Sequence, residues 1–419
     1  IPSCSAKAVE GMEIETEREE VQAARRDILN LLLSEHVGDC EAPCVRICPA
    51  GLDIPLMLRE IERGDLKSAA WIAKRDLAIP ATLGHVCPAP CEKGCRRGQL
   101  DEALKIREAH KQVSLDFQNE TFSLPKIGKE VAVIGSGAAG LSCAWSLRSL
   151  GYGCVVFDEA DQAGGALRTD ERLPAAVLDD EIESLWRAGV EFKLGAPISL
   201  HEIAETYDGV VFATAEHVDT RFADAVYVEE HKLAVKAVAN GKAAAAALDR
   251  SLKDEPPGFN KPFDSKIGKP RESEIRELLK NCSEPSGVNA RATEAARCLR
   301  CDCRKPVSCK LRRYSEKYGA DQRAFPADER GHIQLIGHDE SVVFEPGKCV
   351  KCGLCVKITK AAGERLGLAF VGRGFNTRVA VPFGGALAEG LRGAAEECVA
   401  ACPTGALAFT NADERRPSK

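Results

Sequence analysis

The feature that most constrains this chain is its cysteine content, because 19 of its 419 residues are cysteines. A chain of this length can bury roughly two to four domain cores, so it does not need disulfide bonds for stability. In a reducing compartment, such a count indicates metal binding instead. Fifteen of the cysteines fall into five groups, which are Cys4; Cys40, Cys44 and Cys48; Cys87, Cys91 and Cys95; Cys298, Cys301, Cys303 and Cys309; and Cys349, Cys352 and Cys355 with Cys402. We therefore expect a fold organised around several metal sites.

Charge and hydropathy exclude two classes of partner. The chain has 57 Lys and Arg against 63 Asp and Glu, for a net charge of -6. Binding to nucleic acid or to an anionic membrane surface would require a surplus of basic residues. No run approaches the roughly 18 to 20 apolar residues that cross a bilayer, and no secretory signal opens the chain. The sequence therefore predicts a cytoplasmic protein without a membrane span.

The last cysteine group has the spacing of a bacterial ferredoxin. It is Cys349-Val-Lys-Cys352-Gly-Leu-Cys355, followed later by Cys402-Pro403-Thr-Gly. In two-cluster ferredoxins, the cysteine before proline ligates the cluster of the other run. These four cysteines therefore predict one [4Fe-4S] cluster in a ferredoxin-like α+β module over residues 346–419. A structural zinc site is the alternative.

A second compact group is Cys298-x2-Cys301-x-Cys303-x5-Cys309, which places four thiols within twelve residues. We interpret it as one site for a further [4Fe-4S] cluster, with zinc as the open alternative. The group lies in segment 253–345, which begins with a stretch rich in Pro, Gly and charge and is predicted to be a linker.

The cysteines near the N-terminus match a known family. The region from His36 to about Leu115, which includes LGHVCPAPCEKGCRRG, resembles the N-terminal domain of the glutamate synthase small subunit and of dihydropyrimidine dehydrogenase. The resemblance implies a helical domain over residues 35–125 that holds two [4Fe-4S] clusters. It assigns three cysteines to each cluster, namely Cys40, Cys44 and Cys95 to the first and Cys48, Cys87 and Cys91 to the second.

Each of these two clusters lacks a fourth cysteine. For the first cluster, His36 lies close to the position of the family's leading cysteine, and an ordinary helix-terminal histidine is the alternative. For the second cluster, a family member with a glutamine ligand points to Gln112 or to its neighbour His110. A ligand other than cysteine would change the charge and so the reduction potential of a cluster.

A dinucleotide-binding unit follows. The strand VAVI precedes a turn formed by Gly135, Gly137 and Gly140, a helix starts in this turn at Ala138 and Ala139, and Asp158 ends the next strand. Such a turn brings a pyrophosphate to the N-H groups and dipole of a helix N-terminus, and the acidic residue accepts from a ribose hydroxyl. The pattern therefore predicts a βαβ unit that binds a dinucleotide.

The sequence that follows extends the resemblance to the flavin domain of the glutamate synthase family. The carried-over segment includes Glu159, Gly164, Gly165 and Arg168, and it implies an FAD-type Rossmann domain over residues 126–252. The family inserts a complete NADPH domain after the strand VVFAT, whereas only residues 215–232 stand there, too few for a βαβ unit. We therefore expect FAD rather than NADPH, and an empty structural fold is the alternative.

The start of the chain gives a weaker indication. Cys4 lies in IPSCSAKAVEGMEIETE, which resembles the end of the [2Fe-2S] domain in the large iron-sulfur subunit of complex I. We interpret residues 1–34 as a remnant of such a domain followed by a lead-in helix. The other ligands of a [2Fe-2S] cluster are not found, and an orphan cysteine is the alternative.

Together these patterns predict a multidomain α and α/β protein. It would contain a helical iron-sulfur domain, a truncated FAD-type Rossmann domain and the ferredoxin-like module. No Ser/His/Asp or paired-carboxylate arrangement indicates catalytic residues. We predict an electron-transfer subunit with three to four [4Fe-4S] clusters, which works with a donor subunit and a catalytic subunit. A self-contained iron-sulfur flavoprotein and a zinc-stabilised scaffold are the rival hypotheses.

Overall fold

A computed structural model describes most of the chain, and the element bounds below come from it. The described residues are 7, 9–118, 120, 124–197, 199–214, 225–228, 231–255, 262–282, 290–325, 331–338, 340–410 and 413–415. Cys4 and most of segment 215–232 lie outside them, so the predictions about a [2Fe-2S] remnant and about the missing insert are not addressed by the structure.

The chain folds into two compact units, each made of several segments. The first, called here the Rossmann unit, contains Glu41–Asn260, Leu278–Cys301 and Arg415–Lys419. The second, called here the ferredoxin unit, contains Ile1–Cys40, Lys261–Glu277 and Asp302–Glu414. The Rossmann unit therefore combines most of the predicted helical domain with the predicted dinucleotide-binding domain. The segment predicted as a linker is divided between both units.

Helices make up most of the regular structure. In chain order they are α1 (Glu19–Ser34), α2 (Pro43–Ile47), α3 (Ile54–Glu62), α4 (Leu66–Leu77), α5 (Pro80–Val86), α6 (Pro90–Lys93), α7 (Ile106–Asp116), α8 (Ala138–Leu150), α9 (Ala175–Arg187), α10 (Leu200–Thr206), α11 (Ala234–Leu252), α12 (Glu272–Leu278), α13 (Ala290–Ala296), α14 (Lys310–Tyr318), α15 (Leu354–Ala361), α16 (Leu387–Gly390) and α17 (Ala395–Ala401). None of the helices in the described part of the chain has the length and hydropathy that a bilayer crossing requires.

The helical part of the Rossmann unit is built from short helices with clear start signals. The Asp53 side chain accepts a hydrogen bond from the Leu56 amide and caps α3, and Asp65 caps α4 through the Ser68 amide. Such caps satisfy N-H groups that the first turn leaves free. Gly64, with a φ of 78°, separates the two helices. Caps and glycine turns thus let α2 to α7 fold back on one another and bring distant cysteines together.

The Rossmann sheet contains β1 (Glu130–Ile134), β2 (Gly153–Asp158), β3 (Val190–Leu194), β4 (Gly209–Phe212) and β5 (Val226–Tyr227). Its order is β3-β2-β1-β4-β5, and every neighbouring pair is parallel. Residues 131–134 of β1 are fully buried, as expected for a strand covered on both faces. This order is that of a dinucleotide-binding fold, and the predicted fold class is confirmed.

The ferredoxin unit contains two small antiparallel pairs of strands. These are β6 (Val342–Phe344) with β9 (Leu407–Phe409), and β7 (Ala369–Val371) with β8 (Arg378–Ala380). Their apolar core includes Phe344, Leu407 and Cys398, against which α15 and α17 pack. Elsewhere in this unit, α1 contacts α14 through Leu33 and Leu311. The unit is therefore an α+β module with helices packed beside it.

Candidate cofactor and metal sites

Three cysteines meet at the ends of three short helices in the Rossmann unit, and we call this group the Cys48 site. Cys48 caps the C-terminus of α2, Cys87 caps the C-terminus of α5, and Cys91 lies in α6. The electrostatic environments of Cys87 and Cys91 both include the Cys48 thiol. Burial raises the pKa of the Cys87 and Cys91 thiols, so these thiols become ligands only where a metal stabilises the thiolate.

The two candidates for a fourth ligand at this site lie on α7. The buried His110 points Nδ1 at the Pro80 carbonyl oxygen, 3.0 Å away. Gln112 donates from Nε2 to Glu108 at 2.8 Å. These two hydrogen bonds do not use His110 Nε2 or the Gln112 amide oxygen. The ligand role of either residue therefore stays a prediction.

A second group of cysteines, the Cys44 site, lines a small cavity of about 20 Å³ in the same unit. The thiols that line this cavity come from α2, from the end of α6 and from the segment after α13, and they are Cys44, Cys95, Cys298 and Cys301. Arg96 and Arg97 also line it. The site thus combines two cysteines of the N-terminal groups with two from more than 200 positions further along the chain.

A third group, the Cys40 site, lines a small cavity of about 10 Å³ in the ferredoxin unit. Its candidate ligands are Cys40, Cys303, Cys309 and His36. The Ser265 amide donates to Cys40 Sγ at 3.4 Å, and the Arg312 amide donates to Cys309 Sγ at 3.5 Å. N-H donors of this kind stabilise thiolates and tune the potential of a cluster.

His36 of the Cys40 site is a neutral imidazole. Burial, and then the charge of Lys348, lower the pKa of His36 to about 4. A neutral imidazole is the form that ligates a metal. The environment of this residue is therefore compatible with the predicted ligand role.

The fourth group, the Cys349 site, contains the four cysteines of the ferredoxin-type spacing. Cys355 lies in α15 and Cys402 caps the C-terminus of α17. Burial, and then the negative charge of the neighbouring Cys398, Cys349, Cys352 and Cys402, raise the pKa of Cys355 to about 12. The four cysteines are therefore neighbours, and their role as ligands of one cluster stays a prediction.

The structure does not bring together the run Cys298, Cys301, Cys303 and Cys309. The first two line the cavity of the Cys44 site, and the last two line the cavity of the Cys40 site. The prediction of one four-cysteine site is therefore not supported, whether for a cluster or for zinc. Short spacing alone does not determine which cysteines share a site, because neighbours in sequence can face different cavities when the backbone turns between them.

No three His, Cys, Asp or Glu side chains in the described ranges are grouped tightly enough to hold a single metal ion. A cubane cluster needs four thiols around a core of several atoms, which is a wider arrangement than a tetrahedral ion site. At the Cys44 and Cys40 sites the cysteines line a cavity instead of meeting at one point.

The dinucleotide cleft lies at the carboxyl ends of the Rossmann strands and has a volume of about 270 Å³. Gly135 has a φ of 101°, and a Cβ on Gly140 would lie 1.9 Å from the Gly135 carbonyl oxygen, so both positions require glycine. A Cβ on Gly137 would contact nothing within 4 Å, which leaves the turn open toward a ligand. The N-termini of α8 and α11 both line this cleft and favour an anionic pyrophosphate.

Of the other predicted nucleotide residues, Ala138, Ala139, Asp158 and Gly165 also line the cleft. The Asp158 carboxylate accepts hydrogen bonds from the Ser136 amide and hydroxyl at 2.7 and 2.6 Å, which fixes the glycine turn. Gly164, Glu159 and Arg168 do not line it. Arg168 instead donates to the Ala163 carbonyl and pairs with Asp179.

The sequence alone missed three basic residues of the cleft. Arg172, His231 and Lys232 line it, and His231 Nδ1 accepts from the Leu233 amide at 2.9 Å, just before α11 begins. A basic pair directly before a helix that follows a Rossmann strand is a signal that could have indicated them. Together with the helix N-termini, they fit the phosphates of a dinucleotide such as FAD.

The fold and these sites define an iron-sulfur protein with a dinucleotide-binding Rossmann domain. Two family models match it, namely the one described as dihydropyrimidine dehydrogenase domain II, 4Fe-4S cluster, over residues 15–121 and that of an NAD(P)-binding Rossmann-like domain over residues 133–203. The resemblance stated from the sequence is therefore confirmed for these two segments.

Three curated relatives place the matches in context. The chain is 33% identical over 214 residues to the NADP(+)-dependent formate dehydrogenase subunit beta of Moorella thermoacetica, covering 43% of this chain and 30% of the relative. It is 30% identical over 191 residues to the NADPH-Fe(3+) oxidoreductase subunit beta of Geobacter sulfurreducens, covering 42% and 28%. It is 31% identical over 198 residues to the glutamate synthase [NADPH] small chain of Bacillus subtilis, covering 42% and 40%. The chain thus spans less than half the length of each relative, and each is a subunit or chain of an oxidoreductase.

Proposed function

We propose that this chain is an iron-sulfur and FAD-binding electron-transfer subunit of a multisubunit oxidoreductase. It relays electrons between a donor subunit, which takes them from a nicotinamide, hydrogen or ferredoxin, and a catalytic subunit. The observation that carries the proposal is the position of Val86, which lines the dinucleotide cleft and directly precedes Cys87 of the Cys48 site. A bound dinucleotide and a cluster would therefore be neighbours.

FAD, when bound, supplies the exchange between two-electron and one-electron steps. The residues of this chain hold it in place. The glycine turn and the N-terminus of α8 would face its pyrophosphate, and Lys232 adds positive charge to the cleft, whereas the charge of Arg172 is paired with Asp170 in the same cleft. Val86 and Leu167 are buried apolar residues of the cleft wall, and Val86 directly precedes Cys87 of the Cys48 site.

The first test is the cofactor content of the chain. We expect anaerobically purified protein to contain FAD, acid-labile sulfide and roughly sixteen iron atoms, since four sites would hold about four irons each. Colourless protein that contains zinc and no sulfide would establish the scaffold instead.

The second test follows electrons out of the flavin. In a stopped-flow experiment, photoreduced flavin should pass electrons to the clusters, and Cys87→Ala should slow this step at least about tenfold. Cys143→Ala is the matched control, because Cys143 is buried in α8 and lines none of the four sites. Equal rates in both variants would contradict the relay through the Cys48 site.

The rival hypothesis of a self-contained flavoprotein makes a different prediction. It requires the isolated chain to turn over NAD(P)H with a dye or a small molecule at the flavin. The relay predicts no reduction by NAD(P)H alone and full reduction by dithionite. Steady turnover of NAD(P)H by the isolated chain would refute the proposed function.

A further inference from the structure

We propose that the cysteine run between residues 298 and 309 serves two different [4Fe-4S] clusters, with two ligands to each. Cys298 and Cys301 complete the Cys44 site of the Rossmann unit. Cys303 and Cys309 belong to the Cys40 site of the ferredoxin unit, together with His36. This assignment rests on the proposed iron-sulfur role and specifies which thiols share a cluster.

The backbone of the first pair has the conformation of a cluster-binding turn. Arg300, the residue before Cys301, has a φ of 47°, and Lys351, the residue before Cys352, has a φ of 53°. A non-glycine residue in this region is uncommon and costs about 1 kcal/mol or more. The Cys298 and Cys349 turns therefore share an unfavourable backbone feature, and in the ferredoxin-type turn it belongs to a cluster-binding sequence.

This turn is fastened to the helical part of the Rossmann unit. Arg300 pairs with Glu62 at the end of α3, 2.8 Å between Nη2 and Oε2, and both side chains are largely buried. The Asn281 side-chain amide donates to the Leu299 carbonyl at 3.1 Å, and Leu299 itself is 2% exposed. Arg97 donates to the Arg297 carbonyl at 3.3 Å. The two thiols are thus held against the cavity that Cys44 and Cys95 line.

The helices α2 and α6 explain why the other two ligands lie there. Cys44 lies in α2 and Cys48 caps its C-terminus, whereas Cys91 lies in α6 and Cys95 follows two residues after its end. A Cβ on Gly94 would lie 2.3 Å from Ile47 Cδ1, so glycine allows the close approach of these helices. Each helix, together with the residues that follow it, therefore gives one ligand to the Cys48 site and one to the Cys44 site.

The second pair, Cys303 and Cys309, lies in the ferredoxin unit. The Cys303 amide donates to the Cys40 carbonyl at 3.3 Å, so the two residues are adjacent. A Cβ on Gly405 would lie 2.5 Å from Cys303 Sγ, and the Gly405 amide is a hydrogen-bond donor to the Cys309 thiol. Because Gly405 packs against the sulfur of Cys303 and donates a hydrogen bond to the sulfur of Cys309, we infer that both sulfurs face the same site.

Total iron does not distinguish this assignment from a single site in the 298–309 run, because both give four clusters. Two quadruple alanine variants do. The first replaces the ligands of the Cys44 site, C44A/C95A/C298A/C301A. The second replaces the run itself, C298A/C301A/C303A/C309A.

We expect the first variant to lose one cluster and retain about twelve irons, and the second to lose two clusters and retain about eight. A single site in the run would give the reverse, about eight and about twelve, and would overturn the assignment. FAD content checks that each variant folds, since the dinucleotide cleft contains none of these cysteines. Parent protein without iron would refute the proposed function itself.

Single substitutions give an answer where a quadruple variant does not fold. By electron paramagnetic resonance of the reduced protein, C298A and C44A should alter one and the same cluster signal, and C303A and C40A a different one. The matched control is Cys282→Ala, because this thiol lies 3.6 Å from the Cys298 carbonyl and does not line the cavity. If C298A and C303A alter the same signal, the assignment is wrong.

His36 has a test of its own. His36→Cys should change the signal of the Cys40 site by adding a thiolate and should leave the other three signals unchanged. His36→Ala should convert or remove the same signal. If both variants retain the parent spectrum, His36 is not a ligand.

Discussion

Replacing Glu181 with glutamine should weaken the element that supports Cys87. The Glu181 carboxylate of α9 is 3% exposed and accepts hydrogen bonds from the amides of Ala81 and Thr82, at 2.8 and 2.7 Å. These amides belong to the first turn of α5, which ends at Cys87. A carboxylate at this position therefore satisfies two free N-H groups and complements the helix dipole.

The magnitude follows from the contacts that are lost. Glutamine keeps the volume of Glu181 but has one acceptor oxygen, so one buried N-H loses its partner at a cost of about 1 to 3 kcal/mol. The lost charge at the helix N-terminus adds about 0.5 to 1 kcal/mol. We therefore expect Glu181→Gln to lower the free energy of unfolding of the Rossmann unit by about 2 to 4 kcal/mol.

Anaerobic urea unfolding, followed by circular dichroism, measures this change. Glu183→Gln is the matched control, because Glu183 lies on the same helix, is 57% exposed and pairs with Arg187 at 3.5 Å. An exposed pair of this kind contributes at most about 1 kcal/mol. If Glu181→Gln and Glu183→Gln unfold at the same urea concentration, the reasoning about α5 is wrong.

Four further predictions concern other sites. Burial lowers the pKa of Lys74 to about 8. Above that pH the unfolded chain binds more protons than the folded chain, so the free energy of unfolding should rise by up to about 3 kcal/mol between pH 8 and 10.5. Urea unfolding at several pH values should show that Lys74→Met removes this rise. Gly140→Ala should lower FAD content at least about fivefold without loss of iron, because its Cβ would meet a backbone oxygen at 1.9 Å. Lys351→Val should cost about 1 to 2 kcal/mol in thermal unfolding, whereas Lys351→Gly should be close to neutral, since φ is 53°. Gly405→Ala should shift the paramagnetic signal of the Cys40 site and leave the Cys44 site unchanged, because the added Cβ would press on Cys303 Sγ.

The parts of the fold that could be predicted from the sequence depend on residues that lie close together in the chain. The glycine turn after β1 is such a case. Gly135 and Gly140 are required by steric constraints within the turn itself, and this turn follows the first strand of a dinucleotide-binding fold. The ferredoxin-type spacing is another, since Cys349, Cys352 and Cys355 lie within seven consecutive residues. In both cases the chemistry and the backbone requirement lie within a few positions of each other.

The grouping of the remaining cysteines could not be predicted in this way. Spacing within the 298–309 run gives no information about a partner more than 200 positions earlier, such as Cys44. The sequence contained only an indirect signal. The family resemblance assigned three cysteines to the first N-terminal cluster, which needs four ligands, and the 298–309 run contained four further cysteines. A missing ligand in one part of a chain is therefore a reason to search the rest of it before accepting a histidine or a second metal.

The two units obey one construction rule, and this rule explains the short cysteine spacings. In the Rossmann unit, Cys44 lies in α2 and Cys48 caps its end, while Cys91 lies in α6 and Cys95 follows two residues after its end, so a short piece of chain joins the Cys48 and Cys44 sites in both cases. In the ferredoxin unit, Cys402 belongs to the Cys349 site, and three residues later Gly405 packs on Cys303 of the Cys40 site. Three residues span at most about 11 Å between their Cα atoms. In each unit a short piece of chain therefore joins two sites, which limits their separation, as the proposed passage of electrons between clusters requires.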